Sequence, residues 1–255
     1  MGVRIFTGSC LDWMRTLQAN GEQFDCIMVD PPYGETSLDW DSYVPLWPEL
    51  AWPLLKPTGS MWVFGSQRMF LERADDFDGW KLAQDIVWEK HNGAGFFADR
   101  FRRVHEHALQ FYRDDAPWSG VYKSPQFTND AAPRTVRRKG RPAHWTGERG
   151  ESVYRSEDGG PRLMRSVIFA ASEHGKAVHP TQKPLAIVEP LLLYSCPPGG
   201  SVLDPMAGSG TVGVIAQRHG FECTLIEGNP DYRPIIEARL GDLLALAPPD
   251  PPGRR

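Results

Sequence analysis

Short apolar runs alternate along this chain with segments of helical spacing, which commits it to a sheet flanked by helices. Residues 3–6 read as a strand, Thr7-Gly8-Ser9-Cys10 as a turn, and residues 11–17 as a helix with Leu11, Met14 and Leu17 on one face. Phe24-Asp25-Cys26-Ile27-Met28-Val29 then reads as a buried strand. Strand, helix and strand in that order are the signature of a parallel sheet. Further strands are expected at residues 60–65, 82–88, 108–112, 166–169, 201–203 and 221–226. Helices are expected at 43–55, 67–74, 185–194, 212–219 and 231–240, with a glycine- and asparagine-containing loop at 89–103. The fold class that follows is α/β, a doubly wound, mostly parallel Rossmann-like sheet. Only 45 residues follow Gly210 (255 − 210), enough for one strand–helix unit, so both ends of the chain must close the sheet.

The strand at 24–29 runs into Asp30-Pro31-Pro32-Tyr33. The prolines stop the strand and stiffen the turn, because they fix φ and donate no backbone hydrogen bond. A carboxylate and an aromatic ring are thereby held at a strand's carboxyl end, where ligands bind in open α/β sheets. The stretch after it, residues 34–41 with Trp40, reads equally as a mobile loop over the site or as a plain surface connection. A second candidate loop is Asp204-Pro205-Met206-Ala207-Gly208-Ser209-Gly210-Thr211, between a strand and a helix, with Glu227 at the end of the next strand. Its glycines match G-x-G-x-x-G, a dinucleotide-binding pattern. Asp204 counts against that use, since a carboxylate before the glycines suits a cationic or amine-bearing ligand better than a pyrophosphate.

Composition narrows the setting. Cys10, Cys26, Cys196 and Cys223 are far apart and form no C-x-x-C pair, which argues against a disulfide framework or a cysteine zinc site. There is no signal peptide and no apolar run of membrane-spanning length, so a cytoplasmic protein without membrane contact is expected. The net charge of −4 means that any nucleic-acid contact must come from a local basic face. One candidate lies where composition shifts, from about residue 114 to about 165, poor in Leu, Ile and Val. There Arg134, Arg137, Arg138, Lys139 and Arg141 crowd beside His144 and Trp145. That run reads as a solvated face or, given its aromatic neighbour, as a phosphate-contacting region. Arg100, Arg102 and Arg103 form a second basic group. The expected organisation is 1–113 as one half of a domain, 114–165 as an irregular insertion, 166–246 as the other half, and a proline-rich disordered tail at 247–255.

Asp30-Pro31-Pro32-Tyr33, His179-Pro180-Thr181-Gln182-Lys183-Pro184 and the Asp204–Thr211 loop occur together in this order. In this the chain resembles the amino-group DNA methyltransferases that use S-adenosylmethionine, and the order of the motifs resembles the circularly permuted beta class. The stretch from Trp88-Glu89-Lys90 to His105-Glu106-His107 is also similar to the family's pattern. The resemblance implies methyl transfer to the exocyclic amine of a flipped-out base in double-stranded DNA at a specific sequence. It implies adenine N6, with cytosine N4 as the alternative, and a possible homodimer. Asp30, Pro31, Pro32 and Tyr33 become the catalytic residues. Ser9, Cys10, Asp30, His179, Thr181, Lys183, Asp204, Pro205, Ala207, Gly208, Ser209, Gly210, Thr211, Glu227 and Asn229 become the cofactor site, and the 114–165 insertion becomes the DNA-recognition segment. No metal is implied. The family often has Gly-Asp-Cys where this chain has Gly8-Ser9-Cys10, so Ser9 offers a weaker, neutral contact there. The residues leave two other readings open: a DNA-binding protein without catalysis, and a nicotinamide-dependent oxidoreductase.

Overall fold

The computed structural model describes residues 2–94, 98–138, 152–173, 175 and 177–246. The chain divides into two compact units, Met1–Ser124 with Ser166–Arg255, and Pro125–Arg165. In the first unit, the strands are β1 (Val3–Thr7), β2 (Phe24–Val29), β3 (Leu55–Gly65), β4 (Trp80–Ala94) and β5 (Arg103–Arg113). β6 to β9 belong to the second unit, and β10 (Val167–Phe169), β11 (Ser201–Asp204) and β12 (Glu222–Glu227) return to the first. One eight-stranded sheet results, in the order β1-β12-β11-β2-β3-β5-β4-β10. All neighbours are parallel except β5, which runs against both β3 and β4.

Helices cover both faces. Helices α1 (Cys10–Ala19) and α2 (Trp47–Leu54) pack on one side, where Met14, Leu17, Trp47, Ala51 and Leu54 meet Ile27, Val29, Met61 and Val63. After the short α3 (Gln67–Glu72), α4 (Leu185–Ser195), α5 (Thr211–His219) and α6 (Arg233–Leu246) follow in the second half of the chain. The alternate strand residues serve α4: the Trp62 indole donates to Ser195 Oγ at 2.6 Å and its ring meets Tyr194 edge-on. Because side chains alternate across a strand, a run buried on both faces is continuously apolar, which is how the sequence shows it. Gly213 lets α5 lie close on β12, since a Cβ there would fall 2.7 Å from Leu225 Cδ1.

Two expectations are revised. Residues 89–94 are not loop: β4 and β5 stay paired from Glu89↔His105 to Ala94↔Arg103 across a register shift. An antiparallel ladder needs only paired backbone, so its glycine and asparagine give no strand signal. The insertion also carries four short strands: β6 (Phe127–Ala131) pairs with β9 (Gly160–Leu163), and β7 (Arg134–Arg138) with β8 (Ser152–Ser156). With largely exposed side chains they bury too little to leave a periodic trace. Residues 114–124 are strapped to the first unit by Asp114 N–H to Gly79 O, Tyr122 N–H to Thr58 O and Ser124 N–H to Tyr194 O, at 2.8 to 3.0 Å. The tail at 247–255 lies outside the described residues, and no helix among them is long and apolar enough to cross a membrane.

The connections after β11 and β2 leave in opposite directions, to β12 on one side and to β3 on the other, so the sheet's switch point lies between β11 and β2. That is where an open α/β sheet leaves a crevice at the carboxyl ends of its strands. At the opposite end of the same pair, Asp25 joins the two halves of the chain. Its Oδ2 accepts from Ser201 N–H at 2.8 Å, Ser201 Oγ at 3.0 Å and Lys56 Nζ at 2.9 Å. Burial pushes this carboxyl up, but Lys56 and Ser201 outweigh it and hold it below its ordinary value. A depressed carboxylate adds stability above its unfolded pKa, and that contribution is lost as pH falls through the folded pKa. Asp25→Ala should therefore lower unfolding stability at pH 7 by about 1–3 kcal/mol, with Ser201 N–H left unpaired. Urea denaturation should find the gap to wild type closing below about pH 3–4.

Candidate active site

Asp30 leaves the end of β2 and Asp204 ends β11, so two acidic groups face the crevice from its two sides. The crevice encloses about 550 Å³, within the usual range for small-molecule sites. Of the residues expected from sequence, Cys10, Asp30, Pro32, His179, Thr181 and Lys183 lie in its wall. So do Asp204, Pro205, Ala207, Gly208, Ser209, Thr211, Glu227 and Asn229. Four do not. Ser9 caps α1 by accepting from Asp12 N–H, Pro31 is buried, Tyr33 packs partly buried against the core, and Gly210 makes the turn into α5. Gly210 has φ +74°, and a Cβ there would fall 2.8 Å from Ile236 Cγ2, so only glycine fits.

Lys183 organises the Asp30 side. Its ammonium reaches Asp30 Oδ2 at 2.6 Å and Glu106 Oε2 at 3.5 Å, and Glu106 Oε1 in turn accepts from Lys90. Negative and positive groups thus alternate along Asp30, Lys183, Glu106 and Lys90. Burial disfavours the Lys183 ammonium, but Asp30, Glu106 and Tyr33 outweigh it and hold the group protonated above its ordinary range. Burial likewise opposes the Glu106 carboxylate, and Lys183 and Lys90 bring it below its ordinary value. Burial raises the Asp30 carboxyl, which Lys183 offsets in part. Only Oδ2 of Asp30 is engaged by the ammonium. Glu106 and Lys90 were missed as site residues. They sit at the amino end of one strand and near the carboxyl end of its antiparallel neighbour, so their spacing in sequence hides their contact.

The glycine side is held by Glu227. Its Oε2 accepts from Gly208 N–H at 2.7 Å and its Oε1 from Asn229 N–H at 2.8 Å. Burial nevertheless raises its carboxyl. Arg239 on α6, which no local pattern marks, donates to Ser209 O at 2.5 Å and pins the loop from behind. Asp204 differs from Asp30. It is buried, accepts from Met206 N–H at 3.1 Å, and has no cationic partner among the described residues. Burial, with Asp30 and Glu227 adding to it, pushes its carboxyl up to about 8.

An aromatic wall closes one side. The His179 ring lies 5.5 Å from that of Trp40 and 4.4 Å from that of Tyr232. Burial and then Lys183 bring His179 down to about 4, so it is neutral near pH 7. Its Nδ1 accepts from Thr181 N–H, which puts the ring proton on Nε2. Trp40 is held by its loop: Asp41 Oδ1 accepts from Tyr33 and Gly34 N–H, and Oδ2 from Thr36 N–H and Oγ1, at 2.7 to 2.9 Å. Glu35 adds contacts to Ser66 and to Arg103. Among the described residues there is no cluster able to hold a metal ion.

The basic run falls mainly on β7. Arg134 and Arg137 are exposed, and exposed Arg155 lies on β8 at the register of Thr135. Only the backbone of Arg138 is described, and Lys139, Arg141, His144 and Trp145 lie outside the described residues.

A family model for DNA methylases, N6_N4_Mtase, matches residues 24–238. The type II methyltransferase M.HinfI of Haemophilus influenzae is 28% identical over 94% of this chain and 68% of its own. M2.LlaDCHI of Lactococcus lactis subsp. cremoris, also a type II methyltransferase, is 27% identical over 86% and 82%. Among solved structures, the M1.HpyAVI–SAM complex superposes with a TM-score of 0.64 at 23% identity, over 93% of this chain and 99% of that one. The cytosine-N4-specific PvuII DNA methyltransferase gives 0.63 at 15% identity, over 94% and 86%.

The Asp204 geometry carries a pH signature. A carboxyl whose pKa rises on folding binds a proton that the unfolded chain has lost, so stability falls as pH rises from about 4 to about 8. Asp204→Asn keeps an acceptor for Met206 N–H and removes this titration. Its stability relative to wild type should improve between pH 5 and pH 9 by on the order of a few kcal/mol in urea denaturation. An equal difference at both pH values would mean that Asp204 is ionised throughout.

Proposed function

The chain belongs to the N6/N4 family of DNA methylases, and we propose that it transfers a methyl group from S-adenosylmethionine to adenine N6 in double-stranded DNA. The observation that carries the reading is Asp30 at the switch point, with one oxygen held by Lys183, facing a glycine loop that begins with a buried carboxyl lacking a cationic partner among the described residues. S-adenosylmethionine, when bound, supplies a methyl group on a positively charged sulfur. In this reading a cation near Asp204 would offset the effect of its burial, and Glu227 and the loop would hold the ribose and the amino-acid end.

An exocyclic amine is a weak nucleophile because its lone pair is delocalised into the base. Asp30 Oδ1 accepts a hydrogen bond from that amine, and the carbonyl of Pro31 accepts the other. Both pull the nitrogen towards tetrahedral geometry and turn its lone pair to the methyl group. The proton released after transfer goes to the Asp30 carboxylate, and no covalent enzyme intermediate forms. Lys183 favours the Asp30 carboxylate against burial and against the neighbouring Glu106, both of which favour the acid. Tyr33 serves as a stacking face for the base in this reading, which requires its ring to turn from the core. The aspartate-led tetrad supports adenine over cytosine. The exposed arginines of β7 are proposed to contact phosphates, and a homodimer is the proposed working form.

Asp30→Ala should reduce methylation more than tenfold with cofactor binding largely kept. Nucleoside mass spectrometry of DNA from expressing cells should give N6-methyladenine, and N4-methylcytosine instead would move the target to cytosine. Glu227→Ala should weaken S-adenosylmethionine by about 1.5–3 kcal/mol, the range for a hydrogen bond to a charged group. An unchanged dissociation constant in calorimetry would remove Glu227 from the cofactor site.

A further inference from the structure

The β4–β5 hairpin outruns the sheet that carries it. β10 pairs with β4 only as far as Glu89, and β3 pairs with β5 only from His107 onwards. Beyond those points the two strands pair only with each other among the described residues, up to Ala94↔Arg103. The hairpin is thus a two-stranded arm, and it leaves the sheet at the edge where β2 and β11 end. Its root is fixed to the site. Lys90 and Glu106 belong to the charge chain that reaches Asp30, and Arg103 pairs at 2.7 Å with Glu35, just after the Asp30–Tyr33 tetrad.

The tip has an unusual composition. Arg100, Phe101, Arg102 and Arg103 follow one another, and the stem of Arg102 lies across Gly93, where a Cβ would fall 2.5 Å from Arg102 Cγ. Phe101 is fully exposed. A single exposed apolar residue is ordinary on a protein surface. This one stands between guanidinium groups at the end of a projecting ribbon, beside the site, in a chain of net charge −4. Two-stranded ribbons enter DNA grooves, and apolar side chains at such positions insert between base steps. A base that leaves the duplex vacates one such place.

We propose that this arm enters the DNA beside the target nucleotide and that Phe101 occupies the place in the base stack that the flipped target leaves. The inference rests on the reading of an extrahelical target base given above. Arg102 holds the arm against the phosphates, beside Arg100 and Arg103, which pair with Asp99 and Glu35, and the ring replaces the stacking that the neighbouring bases lose. The tip therefore acts on the cost of flipping, not on the transfer step.

The test uses duplex oligonucleotides that carry the site mapped from methylated DNA of expressing cells. In one the target is correctly paired; in the other it faces a mismatched base and flips at lower cost. Phe101→Ala should lower kcat/KM on the paired duplex about five- to a hundredfold, the loss of one stacking contact. On the mismatched duplex the deficit should shrink to under about threefold. Phe101→Trp should restore most of the activity, and the melting temperature should not move, since the ring is fully exposed. Equal losses on both duplexes would make Phe101 a groove contact and overturn the proposal, as would wild-type activity of the alanine variant on the paired duplex. Failure of the wild type to methylate either duplex would instead overturn the parent reading, and the wedge with it.

Discussion

The Lys183 ammonium between Asp30 and Glu106 is the contact on which the site depends. It joins three parts of the chain that no local pattern connects: the end of β2, the start of β5 and the segment before α4. Buried charges of this kind are expensive to separate, and removing one partner of such a pair costs about 3–5 kcal/mol because the other stays buried. The alternation Asp30, Lys183, Glu106, Lys90 avoids that cost by leaving no member without an opposite neighbour. It also settles which oxygen of Asp30 the ammonium engages, and in the proposed reaction the other one is left for the amine.

The same crevice holds two aspartates in opposite conditions. Asp30 has a cation within hydrogen-bond distance, and among the described residues Asp204 has only a backbone N–H. Burial raises both carboxyls, and their partners differ: a cation beside Asp30 favours its charged form, while the acidic neighbours of Asp204 add to its rise. The Lys183 contact favours the acceptor form of Asp30 against its burial. Burial holds Asp204 towards its neutral form, and a cation placed beside it would favour the charged one. Neutral His179, packed between Trp40 and Tyr232, adds an aromatic surface without adding a competing charge.

Much of this was legible in the sequence, because strands buried on both faces write themselves as apolar runs and because Pro31, Pro32 and the glycines mark turns. The sheet and both loops follow from those signals, and most of the crevice wall came from the resemblance to the amino-group DNA methyltransferases. What was hidden has a common cause. Asp25 sits inside an apolar run and reads as noise until Ser201 and Lys56 are seen around it. Glu106, Lys90 and Arg239 act through partners distant in sequence, and a ladder or a loop pinned from behind has no period. Tyr33 was legible as a residue but not as a position, since its ring lies against the core and outside the crevice wall.

One strand direction accounts for the remaining geometry. β5 is the only strand that runs against its neighbours in the eight-stranded sheet. A parallel strand in its place would need a crossover of a dozen residues or more and would bring its last residues to the carboxyl edge. An antiparallel one brings its first residues there. That is why Glu106, near the start of β5, reaches Lys183, and why the paired end of the β4–β5 hairpin lies at the edge that carries Asp30 and Asp204. The reversal that supplies a buried carboxylate to the site thus also places the arginine-flanked tip beside it, and neither could be moved to the opposite edge without the other.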